Sequence, residues 1–199
     1  MNTFRTLTIC LLAFFATSVV SAQSSDFQSS LEFKIQLLSD NVTYGVFVKP
    51  DFTISPTGKT QTGSGQVTLV TPSNFSYSNF KNHAGTWVEN ARVDAPTEAT
   101  DKSYVSFGFV VDKPRIQLFQ HEETLLFTFT CDAAFNGQVA LFDNENDPFM
   151  TPNSYGTNPG NDIGVIDHGT KGGMAYYTYA RNYSTEAAEW RENAALATK

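Results

Sequence analysis

The stretch Asp143-Asn144-Glu145-Asn146-Asp147 holds the side chains of this chain best suited to chemistry, and Asn161, Asp162 and Asp167 follow within one further loop. Its carboxylates alternate with amides, and calcium takes roughly six to eight hard oxygen ligands of that kind. Asp143, Glu145, Asp147, Asn161 and Asp162 are therefore candidate calcium ligands. The Asp-x-Glu-x-Asp opening imitates the first half of an EF-hand loop, but Pro148 stands where the turn glycine belongs and no bidentate Glu closes the loop. The competing reading is a solvated acidic turn, the usual fate of acidic runs.

Other constellations are weaker. His83, His121 and His168 fall on three separate predicted loops without metal-type spacing. No Gly-x-Ser-x-Gly elbow marks a hydrolase nucleophile, and Gly169-Thr-Lys-Gly-Gly173 lacks phosphate-loop spacing. The separation of a glycosidase carboxylate pair is spatial, so sequence alone does not reveal one. Cys131 shares the predicted strand face of Leu125, Phe127 and Phe129 and has no neighbouring base, which predicts a core thiol. Aromatics with polar tips offer a different chemistry. Trp87, Tyr155, Tyr176, Tyr177 and Tyr179 are candidates for stacking on sugar rings, against the plainer role of closing sheet edges.

These residues need a scaffold, and the first 22 residues bear on its compartment. Arg5 precedes the apolar run Leu7 to Val20, and Val20-Ser21-Ala22 supplies small residues before Gln23, which predicts a secretory signal peptide cut after Ala22. The run is shorter than the roughly 20 residues of a membrane span and no basic stop-transfer cluster follows. Cleavage leaves 177 of the 199 residues, enough for one domain with a sizeable core. Cys131 is then the sole cysteine, so an internal disulfide is ruled out and core packing must hold the fold, with or without a bound ion. A net charge of -7, one unit more negative without Arg5, argues against nucleic acid and anionic membrane surfaces as partners.

Period-two alternation recurs along the chain. Leu31 to Leu37, Val42 to Val48, Gln66 to Val70, Tyr104 to Val111, Arg115 to Phe119, Thr124 to Cys131, Gln138 to Phe142, Ile163 to Ile166 and Met174 to Tyr179 predict about nine strands. Gly-, Asn- and Pro-rich stretches between them read as turns, and Thr185 to Thr198 as a short terminal helix. With no crossover helices, the expected fold is an all-β antiparallel sandwich. The expected boundaries are 1–22 for the signal peptide, 23–30 for a polar leader, 31–180 for the sandwich and 181–199 for a tail or helix.

The segment Tyr104 to Asp112, then Ile116, Glu123 to Thr130 and Gln138 to Phe142 resembles the second half of a cohesin-type module. Gly65 to Phe75 and Gly85-Thr-Trp87 resemble that family's earlier strands, so the likeness covers residues 31 to 167. Asp143 to Phe149, Asn153-Ser154 and Asn158 to Asp162 resemble modules of secreted and surface proteins of Bacteroidetes-type bacteria. The resemblance implies a nine-stranded jelly-roll sandwich that binds protein or carbohydrate on a sheet face and does no chemistry.

The expectation is thus a non-catalytic, secreted binding or structural module of the cell surface or extracellular matrix, mediating protein–protein adhesion or assembly. Its partners would be surface proteins or glycans, without membrane insertion. Two alternatives stand beside it. A carbohydrate-binding module would show a planar row of exposed aromatics. A filament subunit would self-associate, with residues 23 to 30 or the tail after residue 170 adding a strand to a neighbour's sheet edge.

Overall fold

The computed structural model describes residues 27–184. The predicted signal peptide, the first residues of the predicted leader and the predicted terminal helix lie outside them. The described chain is all-β, with one short 3-10 turn at Ala133–Phe135. In order the strands are β1 (Phe27–Leu37), β2 (Thr43–Pro50), β3 (Thr60–Pro72), β4 (Tyr77–Asn82), β5 (Thr86–Asp94), β6 (Lys102–Val111), β7 (Thr124–Cys131), β8 (Ala140–Leu141), β9 (Asp162–Asp167) and β10 (Ala175–Asn182). They form one sheet in the order β4-β7-β2-β1-β10-β9-β3-β6-β5, with β8 also on β3, and this path curls into a nearly closed barrel.

This architecture is more continuous than a two-sheet antiparallel sandwich. β1 and β10 run parallel, with two register shifts, and the β9–β10 hairpin joins what would otherwise be separate layers. The two halves still face each other across an aromatic core. Phe107 of β6 lies 5.0 Å from both Phe80 of β4 and Phe127 of β7, ring centre to ring centre. Residues 27–30 are not a loose leader, since they begin β1 and pair with β10 from Tyr176 onward.

Alternation builds most of the interior. Leu31 and Phe33 of β1, Val46 and Val48 of β2, Val67 and Leu69 of β3, and Val105 and Phe107 of β6 are buried inside. Arg115 to Phe119 alternates as a strand does, yet it pairs with no strand. Instead Ile116 and Leu118 drop into one end of the barrel, while Phe75, Phe135 and Val139 fill the other. On β7 a bulge skips Leu126 between the pairs Val46–Phe127 and Phe47–Leu125. Leu126 is therefore fully buried and Leu125 sits beside Phe47, so the face shared by Leu125 with Phe127 is broken there. A bulge at Asn90 of β5 likewise carries Val93 out to Tyr104, Phe142 and Phe149, a second small core beneath the 142–161 loop.

The barrel closes imperfectly between β4 and β5, where side chains replace a backbone ladder. Asn82 donates to the Trp87 carbonyl and accepts from its N–H at 3.2 and 2.9 Å. The Tyr77 hydroxyl donates to Glu89, which is also paired with Arg92. Charges and bulges of this kind blunt an open sheet edge.

Candidate functional site

Chain distant in sequence meets where β9 ends and β8 begins along the edge of β3. Asp162 of β9 lies opposite Gln66, and Leu141 of β8 lies opposite Leu69. Between them the Thr68 N–H would lack a ladder partner, and the Asn161 side chain fills the gap, its Oδ1 accepting that N–H at 2.9 Å. The Asn161 amide nitrogen donates to the Phe142 carbonyl at 2.8 Å and to Asn182 Oδ1 at 3.1 Å. Asn182 donates to the same carbonyl and accepts the Tyr179 hydroxyl at 2.9 Å. From the loop, Asn144 acts as a substitute strand. Its amide donates to the Asn161 carbonyl and accepts the Asn161 N–H, both at 2.8 Å. Three asparagines thereby hold the 142–161 loop onto β3 and β10 with no charged group in the clamp. Buried amides are stable only when satisfied in this way.

The rim of the clamp carries the acidic residues. Asp143 caps the turn after β8: its carboxylate accepts N–H groups of Glu145 and Asn146 at 2.9 and 3.2 Å and the Asn146 side-chain amide at 3.0 Å. Those bonds, the Glu145 N–H first, hold its carboxyl below the usual range. Asp147 turns inward, accepting the Tyr104 hydroxyl and the Phe149 N–H, each at 2.9 Å. Burial, with smaller contributions from the charges of Asp143 and Glu145, pushes the Tyr179 hydroxyl up to about 12. Tyr179 is thus a neutral donor at ordinary pH. The carboxylates of Glu145 and Asp162 have no hydrogen-bond or ion-pair partner among the described residues.

A groove follows this rim. On one side of Asn144 lies a cavity of about 430 Å³ bounded by Asp143–Asn146 and Tyr179–Asn182. On the other lies one of about 360 Å³ between Ser64–Gln66 and Asn158–Asp162. A third, of about 210 Å³, runs under Asn158 and Pro159 to Met150. All three touch Asn144.

The five candidate calcium ligands are therefore neighbours in the fold with different duties. Asp143, Glu145 and Asp162 reach the groove, whereas the Asn161 amide and Asp147 are committed to the protein. Among the described residues no group of three or more His, Cys, Asp or Glu side chains converges on one point. The aromatic candidates scatter. Trp87 is fully buried, its ring N–H donating to the Ala84 carbonyl at 2.9 Å, and Tyr177 also faces the core. Tyr176 and Tyr179 are half-buried on β10, and Tyr155 stands exposed on the 151–157 loop, so the five form no single platform. Cys131 packs against the core, where burial pushes its thiol up and keeps it protonated.

A second polar cluster, not anticipated from the sequence, covers the outer face of β1, β2 and β10. Arg181 bridges Glu32 and Asp51 at 2.5 and 2.7 Å. Lys34 contacts both oxygens of Glu123 at 2.6 Å, and the Tyr183 hydroxyl donates to the same carboxylate at 2.8 Å. Lys34 and Lys49 approach the Tyr183 ring at 5.6 and 4.9 Å. Glu32, Lys34, Lys49 and Asp51 are all buried although they point away from the barrel interior. Glu32 and Asp51 meet Arg181 from 149 and 130 positions away (181 − 32 and 181 − 51), so no local pattern announces them.

No family model, curated protein or solved structure matches the chain. No helix among the described residues is long and apolar enough to cross a membrane.

Proposed function

We propose that this protein is a non-catalytic, exported binding module of the cell surface or extracellular matrix, and that its ligand lies in the groove over Asn144. The observation that carries the reading is a groove whose walls are fixed by the asparagine clamp while Glu145 and Asp162 at its rim lack partners among the described residues. A preformed recess with few convergent polar groups is the usual form of a binding site. The cadence shared with cohesin-type sandwiches supports a role in adhesion or assembly.

The test is capture from cell-envelope extract by the immobilised protein, with parallel samples treated by protease and by periodate. Retained material that disappears after either treatment supports the module, and its sensitivity names protein or glycan. No retention from any envelope or matrix extract removes the reading. Calcium is a second claimant on the same carboxylates. A rise in melting temperature on adding millimolar calcium to chelated protein assigns them to the ion, and an unchanged curve leaves them to an organic ligand.

A further inference from the structure

We infer that the groove over Asn144 takes an oligosaccharide free of acidic groups, neutral or amine-bearing; this rests on the groove being the ligand seat. Among the described residues the charged groups left without a partner there are acceptors, with the Ser64 hydroxyl and the Asn158 amide nitrogen as uncharged donors beside them. Glu145 and Asp162 offer whole carboxylates, and the side-chain oxygens of Gln66 and Asn146 accept nothing from the described residues, because only their amide nitrogens are engaged. A matching ligand must present many donors at close spacing, as vicinal hydroxyls and sugar amines do, and planar carboxylate and amide groups accept two such donors at once. Tyr179 adds a ring at the floor of the larger cavity.

Charge narrows the class. Asp143, Glu145 and Asp162 make the rim negative, and Arg181, the one cation on it among the described residues, is already bound to Glu32 and Asp51. Uronic-acid, sulfated or phosphorylated polymers would meet repulsion with no free cation among the described residues to offset it. A protein partner fits less well, since protein interfaces centre on aromatic and aliphatic anchors and are depleted of Asp and Glu, whereas the two larger cavities are lined mainly by amides and acids.

The experiment is an array of neutral, amine-bearing and acidic oligosaccharides probed with the full protein and with the Glu145→Ala/Asp162→Ala variant. Both side chains are exposed, so the variant should melt as the parent does. The expected result is retention on neutral and amine-bearing sugars, none on acidic ones, and a loss of at least tenfold in the variant. Retention on no sugar, retention led by acidic sugars, or a variant binding within twofold of the parent overturns the inference. The envelope capture separates the two failures. Protease-sensitive material retained by the parent and lost with the variant keeps the groove as a binding seat while ending the oligosaccharide assignment. Envelope material retained equally by both proteins ends both.

Discussion

The barrel carries two polar networks on its outer surface, each with buried members and an exposed side, and they are built from opposite materials. Over β1, β2 and β10 the network is ionic: Glu32, Lys34, Lys49, Asp51, Glu123 and Arg181, with Tyr183 seated among the charges. Beneath the 142–161 loop it is neutral, made of Asn144, Asn161 and Asn182. A buried charge is tolerated only beside its counter-charge, so the ionic network saturates itself and fixes which strand lies next to which. An amide can satisfy a backbone N–H and a carbonyl at once, so the neutral network ties a loop to a sheet edge without drawing on the carboxylates of Glu145 and Asp162, which have no partner among the described residues. The ionic cluster reads as a clasp for the end of β10, and the neutral one as the support of a site.

Removing Arg181 should break this comparison most severely. Arg181→Met leaves Glu32 and Asp51 buried without that cation, and the expected loss is about 3 kcal/mol, the lower end of the range for one partner of a buried pair because the Arg181 side chain is 46% exposed. Urea unfolding measures it. A double variant with Glu32→Gln should lose less than the sum of its parts. A change in midpoint too small to resolve would show the clasp to be incidental.

Asn161→Ala should come next. It strands the Thr68 N–H in a buried position while the Phe142 carbonyl keeps Asn182, so about 2 kcal/mol is expected. Hydrogen exchange sharpens the result. The Thr68 amide should lose protection in Asn161→Ala more than it does in Arg181→Met at matched global stability, which places the clamp's effect on the site side of the barrel.

The sequence announces these two regions unequally. Alternation reveals β1, β2, β6, β7 and β10 because their interior faces repeat with period two over several residues. β4 and β5 escape that reading: Tyr77-Ser-Asn-Phe-Lys-Asn82 is mostly polar, and the bulges within both strands break the period. Ile116 and Leu118 show the converse failure, a true alternation that plugs the barrel instead of pairing. The acids at residues 143–147 are visible in the sequence as a candidate site. The clamp beneath them is not, because Asn161 meets Thr68 across 93 positions and an asparagine in a loop looks the same whether it is solvated or bound. Closure into a barrel is hidden for the same reason, since it depends on β1 pairing with β10 from the far end of the chain.

Acid separates the neutral clamp from its charged surroundings. Burial would raise the Asp167 carboxyl, but the N–H and hydroxyl of Thr57 and the Gly169 N–H outweigh it and hold the group below its usual value, and Asp143 is held low by the N–H of Glu145 and its companions. For a carboxyl depressed in the folded state, the stabilisation is present above the unfolded value, near 3.8 here, and is lost as pH falls through the folded one. Melting temperature should therefore hold from neutral pH down to about pH 5 and fall below about pH 4. Asp143→Ala should cost about 1 kcal/mol at neutral pH, as loss of a capping carboxylate does, and that deficit should shrink as pH falls below about 3.8, because the parent loses the same contribution there. A deficit constant with pH would mean that the turn does not use the charge.

The smallest effect on stability is expected where the effect on binding should be greatest. Glu145→Gln and Asp162→Asn change exposed carboxylates without partners among the described residues, so each should shift the unfolding free energy by less than about 0.5 kcal/mol. Conserved stability with weakened capture of envelope material would show that these acids are kept for something outside the chain. A substantial loss of stability in either variant would turn the comparison around, because the rim would then belong to the clamp and the groove would have no acceptors to spare.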